Sequence, residues 1–532
     1  MTGSISATRK LAAVLVAFVA VNLFFLSIDR TPPEWDQSAH LTTAAQYHAA
    51  MQADSGPGVA GLRRTLGRIV RVDTGIYPPV FSFLSSWLLF FCPLTVQWMA
   101  LVNLPFVVLL ALSVFGLGRR IDRSSDNTGV LAAALLLLYP IVFGLSRAFM
   151  IDFAALAASA LGGYFLLRTE EFRRPGFTLL FGLCLGVGLL IKQSVITAMV
   201  TPSLYVIASA LVRCTRGEVT PRELGRRTML VLGAGLAGML VAIPWYAHHA
   251  DPIPAMLAVS KTNTTGFAIL EPASLLWLAR SLMFQQMGWL LAGVFGIGLL
   301  FFWRRTDAWH SGFLLSWIIG IYLIAIVVPH KSDRQYAAIL VPAALVSALA
   351  LMGLTRWRTA AIGLVCGYGA IQLLAFSLPS SPVASELRVV SRGNRYLWTS
   401  PPERDSWSIE SALDSLPSRP ASVAVVSDHH FINGQVVAYY AKIAKRPLTI
   451  VKCHNHLEEF LRDPLQYDYF VTKTDWAPTE DPGDNPFTPR DTDVQIERGF
   501  VAIKDKLRLR SRFPLPDGSA LLLFERRDPP IG

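Results

Sequence analysis

The sequence predicts a mainly α-helical protein that crosses a membrane about eleven times and ends in a small soluble α/β domain. Three observations predict this. Of the 532 residues 52% are hydrophobic and only 16% charged, with a mean hydropathy of +0.43, so too few polar side chains exist to coat a water-soluble globule of this size. Apolar segments of span length recur up to residue 378, and after Ser380 the composition returns to that of an ordinary soluble domain.

The first apolar segment, 11–27, follows Arg9 and Lys10. It is long for a signal-peptide core and no Ala-x-Ala site follows, so it reads as a retained span. Further segments lie at 94–118, 128–145, 153–167, 176–191, 194–212, 228–245, 282–303, 311–329, 337–354 and 359–378. The basic clusters Arg119, Arg120 and Arg123; Arg168, Arg173 and Arg174; Arg213 through Arg227; Arg304 and Arg305; and Arg356 and Arg358 all fall on the side of the N-terminus, which the positive-inside rule assigns to the cytoplasm. The alternation stays in register through every segment. The net charge of +11 is therefore a topology signal and not the footprint of a nucleic-acid partner. Cys92, Cys184, Cys214, Cys366 and Cys453 are scattered without a Cys-x-x-Cys pair, which supports neither a zinc site nor a disulfide framework.

This topology places outside the cell a long first loop, 28–93, several short loops, and everything after Pro379, dividing the chain into a membrane domain, 1–379, and an extracytoplasmic domain, 380–532. Within the first loop Ser38–Met51 reads as a helix. The apolar run Val80–Phe91, too short to span and preceded by Tyr77-Pro78-Pro79, reads as an interfacial or re-entrant helix started by proline. In the last domain Ser422–Val426, 433–444, Leu448–Val451 and Tyr467–Thr472 read as the order strand, helix, strand, helix, strand, and Leu507–Phe513 and Ala520–Glu525 flank a hairpin turn at Pro516-Asp517-Gly518.

The outer face carries the candidate chemistry. Directly after the first span come Glu34, Trp35, Asp36 and Gln37, then His40 and His48. Asp36 is a candidate base for taking a hydroxyl proton, and Glu34 and Asp36 are equally placed to cap the helix that follows. Arg147 and Asp152 occupy the second outer loop, where an acid at the edge of hydrocarbon is costly. Positive charge on this face breaks the charge bias: Lys192 sits in the tight turn Ile191-Lys192-Gln193, and Lys331, Arg334 and Tyr336 share the loop 330–336. Such cations suit a lipid phosphate, or attraction to ordinary anionic headgroups.

In order along the chain, Trp35-Asp36-Gln37, Tyr77-Pro78-Pro79-Val80, Arg147 to Asp152, Gly186 to Lys192 and Lys331 to Pro342 resemble the motifs of the GT-C-fold glycosyltransferases related to protein O-mannosyltransferases and the bacterial lipid A aminoarabinose transferases. The resemblance covers about 1–355, by order of features more than by identity. Two positions depart from it: Gln37 stands where the commonest motif has a second acid, and Tyr77 stands where many members have Lys or His before Pro-Pro.

The resemblance implies a transferase on the outer face of the cytoplasmic membrane. A polyprenyl-phosphate sugar would enter from the lipid, its phosphate held by Lys192, Lys331 and Arg334, with Tyr336, Tyr77 and Glu34 nearby. Asp36 would deprotonate a hydroxyl of a lipid, glycan or protein acceptor, and Asp152 would orient the acceptor or hold Arg147. Transfer would invert the anomeric centre and calls for no cofactor. Two other classes remain open at this stage: a transporter or flippase of a lipid-linked or anionic solute, and a non-catalytic envelope assembly protein.

Overall fold

The computed structural model describes residues 2–54, 56, 58–75, 77–249, 271–328, 331–379, 383, 400–475 and 490–527. The boundary expected between Pro379 and Ser380 lies at the edge of the described residues. The membrane part opens with α1 (Thr2–Ile28), followed in the first loop by α2 (Trp35–Gln52), α3 (Gly58–Val70) and α4 (Val80–Ser86), the last extended by a 3-10 turn to Phe90. Then come α5 (Val96–Ile121), α6 (Asn127–Leu137), α7 (Pro140–Arg147), α8 (Ile151–Arg168), α9 (Pro175–Leu189), α10 (Ser194–Thr215), α11 (Pro221–His248), α12 (Pro272–Ser281), α13 (Trp289–Phe301), α14 (Ala308–Val327), α15 (Asp333–Gly353) and α16 (Arg358–Ala375).

Among the described residues eight helices are long and apolar enough to cross a membrane, or nine if α6 and α7 count as one broken span. Each of the eleven apolar segments is helical, but three are not simple spans. Segment 128–145 bends by 67° between α6 and α7, because Pro140 has no N–H to give the preceding turn and Tyr139 adopts extended backbone. Segment 176–191 is only the 15-residue α9. Segment 282–303 is divided by Gly288, whose φ of +80° only glycine adopts freely, into a π turn and the 13-residue α13.

The helix bundle packs as a membrane protein packs. Leu232, Leu236, Leu240 and Ile243 of α11 are exposed, while α8 and α15 are mostly buried at the centre. Gly182 and Gly186 of α9 meet Ala234 and Gly238 of α11 so closely that a Cβ at Gly182 would lie 2.1 Å from the Ala234 carbonyl oxygen. At one end of the bundle the basic loops join one another: Arg120 pairs with Glu170, Arg213 and Arg227 with Glu171 at 3.1 Å each, and Arg305 with Asp122 at 3.2 Å. Four of the five basic loops expected to share a face thus meet there.

The last domain holds a five-stranded sheet in the order β2-β1-β3-β5-β4, with β1 (Ala421–Val425) parallel to both β2 (Leu448–Lys452) and β3 (Tyr469–Lys473). The hairpin of β4 (Leu507–Pro514) and β5 (Ala520–Arg526) adds antiparallel to β3 and turns through Gly518 at φ +83°. Val423 and Val425 face one apolar cluster, with the helix Gly434–Ile443, whereas Ala424 and Val426 face another, so β1 is buried on both sides. The domain is docked on the first loop. The Trp35 indole donates to Asp428 at 2.8 Å, the Tyr439 hydroxyl to the Leu94 carbonyl at 2.7 Å, and the Glu403 amide to Asp29 at 3.0 Å.

Candidate active site

Four loops, the first of them contributing twice, meet at the end of the bundle opposite the basic network. The extended backbone of Glu34 starts α2 without a side-chain capping bond, so the helix gets no cap from its acids. Asp36, in the first turn, points elsewhere. Its Oδ2 accepts from Arg334 at 2.5 Å and its Oδ1 from the Tyr77 hydroxyl at 2.9 Å. The capping role open to Glu34 and Asp36 in the sequence is thus not taken up, and Asp36 is engaged by Arg334 and Tyr77 instead.

Arg334 lies in the 3-10 turn that opens α15. Its other terminal nitrogen is 3.9 Å from Asp152, which begins α8 and accepts from Lys192 at 2.5 Å. Lys192 is aimed by the tight turn after α9, where its amide donates to the Gly188 carbonyl at 2.8 Å. The same turn receives the start of α4, since the Val80 amide donates to the Leu190 carbonyl at 3.0 Å. Two carboxylates, a guanidinium and an ammonium are thus interleaved, with Arg334 shared between both acids.

His40, one helical turn beyond Asp36, lies tilted against Tyr77 with 4.5 Å between ring centroids and is almost wholly buried. Its Nε2 finds no hydrogen-bond partner among the described residues, and neither does Asp152 Oδ2. Burial lowers the His40 imidazole to about 4, overriding the pull of Asp36 and Asp152, so the ring is neutral at physiological pH. Burial alone would raise the Asp36 carboxyl, but Arg334, with His40 and the Tyr77 hydroxyl, holds it at about 2. Glu34 is buried too, and because Arg334 offsets its desolvation only in part, it rises to about 8. Burial, with Asp36 beside it, pushes the Tyr77 hydroxyl well above its usual range.

Three expected residues stand elsewhere. Arg147 donates to Asn22 at 2.7 Å, to the Phe376 carbonyl at 3.2 Å and to Ser377 at 2.5 Å, and covers the ring of Phe25, so it ties α1, α7 and the end of α16 together. The Lys331 ammonium donates to the carbonyls of Ala325, Ile326 and Val328, where the unpaired C-terminal oxygens of α14 attract a cation. Tyr336 is buried edge-on against Trp277 at 5.4 Å. His40 was visible in the sequence only as a neighbour of Asp36 without a role, and its spacing of four on one helix face was the signal that it sits beside that carboxylate. Sequence reasoning missed the contact of Trp35 with Asp428, which no local pattern encodes.

Residues 71–250, in the first half of the chain, match the family model of Dolichyl-phosphate-mannose-protein mannosyltransferase, a stretch that includes Tyr77, Asp152 and Lys192. No curated protein matches the chain by sequence. Among solved structures, ArnT from Cupriavidus metallidurans in the apo state superposes with a TM-score of 0.57 at 14% identity over 97% of this chain and 98% of its own. The chain has a GT-C fold. ArnT bound to undecaprenyl phosphate gives the same TM-score, 0.57, at 14% identity over 96% of this chain and 97% of that one. The apo oligosaccharyltransferase of Archaeoglobus fulgidus, also a GT-C protein, gives 0.50 at 12% identity over 87% and 69% of the two chains. In this GT-C chain the acids and cations above lie where the first loop, the bundle and the last domain converge.

Proposed function

We propose that the chain is an inverting glycosyltransferase that moves a sugar from a polyprenyl-phosphate donor to a hydroxyl acceptor on the outer face of the cytoplasmic membrane. The observation that carries this reading is the sharing of Arg334 between Asp36 and Asp152, beside Lys192. In this state both oxygens of Asp36 accept hydrogen bonds, and its proton affinity is low. A donor phosphate competes for Arg334 and Lys192 with charge-assisted hydrogen bonds of its own. As Arg334 turns to the phosphate, Asp36 loses the partner that depresses it and gains proton affinity, so the base is released when the donor is in place.

The acceptor oxygen then forms a bond to the anomeric carbon while the bond from that carbon to the phosphate oxygen breaks. The hydroxyl proton passes to Asp36 and the polyprenyl phosphate leaves with the bonding electrons. Arg334 and Lys192 stabilise the charge as it grows on the leaving phosphate. Neutral His40, with its ring nitrogen unpartnered among the described residues, offers a hydrogen bond to a sugar hydroxyl. The likeness to ArnT bound to undecaprenyl phosphate supports a lipid-phosphate donor.

The test is to incubate the purified protein with polyprenyl-phosphate sugars and follow release of polyprenyl phosphate. Asp36→Asn keeps the shape of the site but removes the proton acceptor, and a lost base lowers the rate by about a hundredfold to ten-thousandfold. Near-normal turnover in that variant would overturn the assignment.

A further inference from the structure

Helix α3 is turned inside out by the standard of a soluble surface. At the helical repeat Val59, Leu62, Leu66, Ile69 and Val70 fall within an arc of about 100°. Four of them face outward, with Val59 84%, Leu62 60%, Leu66 52% and Val70 53% exposed. The inward side is the polar one. Gly61 is buried there, and the Arg68 guanidinium donates to the carbonyls of Ala50, Ala53 and Asp54 at 3.3, 2.7 and 3.3 Å, closing the C-terminal end of α2. The helix contains no acid, Arg63 flanks the apolar arc, and Arg71 is exposed directly after it.

A soluble surface would reverse this arrangement, which marks the face as one that meets a membrane or a partner. The surroundings say which. Helix α2 begins shortly after α1 ends, and near its other end Tyr47 and His48 pack on Phe83 and Phe90 at 5.6 and 4.6 Å, just ahead of the span that starts at Val96. One end of α2 therefore follows a span and the other packs on the segment that leads into the next, and α3 is fastened to that second end by Arg68. Trp87, Phe90, Phe91 and Trp98 are exposed in that zone, as in the aromatic belt of a membrane interface.

We propose that α3 is an interfacial anchor: its apolar edge lies in the boundary between acyl chains and headgroups of the leaflet that borders the candidate active site, and Arg63 and Arg71 dock on anionic lipid phosphates. Because Arg68 fastens α3 to the helix that carries Asp36, the anchor holds that carboxylate at a set depth against the membrane. The docking itself does not depend on the transfer reaction.

The test uses the full chain with its five native cysteines replaced by serine, reconstituted in lipid nanodiscs, with single cysteines at Leu62, Leu66 or, as a control off the apolar arc, Ala60, each carrying an environment-sensitive fluorophore. Labels at Leu62 and Leu66 are expected to be quenched by spin-labelled phospholipid and shielded from a water-soluble quencher, with the reverse at Ala60. Lipid quenching should strengthen as phosphatidylglycerol replaces phosphatidylcholine, and Arg63→Gln with Arg71→Gln should abolish that dependence. Access of the aqueous quencher to Leu62 and Leu66 overturns the proposal. So does shielding from both quenchers, which means a second copy or another protein covers the face and would show in the particle mass. Lipid quenching that ignores lipid charge overturns the headgroup contact. A monodisperse elution profile for each labelled chain guards against reading misfolding as exposure.

Discussion

Glu34 and Asp36 stand two residues apart and hold opposite protonation states at neutral pH. Both are desolvated, but only Asp36 receives direct hydrogen bonds, from Arg334 and Tyr77, and Arg334 reaches Glu34 through space alone. Glu34 is raised in the folded protein, so its contribution to stability is fully present below the ordinary carboxyl range and is lost as pH climbs through about 8. Asp36 has the opposite sign, its contribution being present above the ordinary range and lost as pH falls through about 2. The alkaline limb therefore belongs to Glu34, whose ionisation places an unpaired charge beside the already paired Asp36. We expect thermal stability and transfer activity to decline above about pH 8, and Glu34→Gln, which keeps the neutral shape, to flatten that decline while leaving activity at pH 7 close to the parent. A Gln variant with an unchanged alkaline limb in both measurements would assign the titration to another group.

At the scale of elements, the sequence made legible what hydropathy and short-range spacing encode. All eleven apolar segments are helical, the helix after Trp35 and the proline-started helix at Val80 are present, and the strands of the last domain form as read. What stayed hidden depends on partners distant in sequence or on few residues. Tyr139-Pro140 bends a segment whose composition alone suits a straight span, and α3 is too weakly apolar on average to stand out. Asp36, Tyr77, Asp152, Lys192 and Arg334 were all readable as candidates, yet nothing local separates Arg334 from Lys331 three positions earlier. The structure separates them by direction: Arg334 faces the acids, and Lys331 turns back onto the end of α14. Removing a charge-assisted contact of roughly 1.5 to 3 kcal/mol should weaken donor use about ten- to a hundredfold, so Arg334→Ala should show that loss. Arg334→Lys should recover only part, since an ammonium lacks the two-pronged grip that spans both acids. Lys331→Ala should lower the melting temperature while leaving donor affinity near that of the parent. Donor titrations of the three variants check this, and a donor defect in Lys331→Ala equal to that of Arg334→Ala would return the lysine to the site.

For the whole molecule, the contacts between distant parts constrain sidedness more tightly than any loop charge. Trp35, Leu94 and Asp29, on or beside the first loop, bond to Asp428, Tyr439 and Glu403 of the last domain, so the loop and the domain must lie on one face of the membrane. Lys192 and Arg334 join that face by pairing with Asp152 and Asp36. Helix α10 then leads from the turn at Lys192 to the opposite face, where Arg213 and Arg227 share Glu171. Packing fixes which loops share a face, and the bias of Lys and Arg predicts that the face of Arg213 and Arg227 is the cytoplasmic one. A reporter active only outside the cytoplasm should be active when fused after Pro379 and silent when fused near Arg222, and a cytoplasmic reporter should show the reverse. The opposite pattern would invert the membrane and move the donor to the cytoplasmic leaflet, while leaving the ion pairs intact. Activity of one reporter at both positions would break the packing itself, because no single crossing of α10 separates Lys192 from Arg222 unless they lie on different sides.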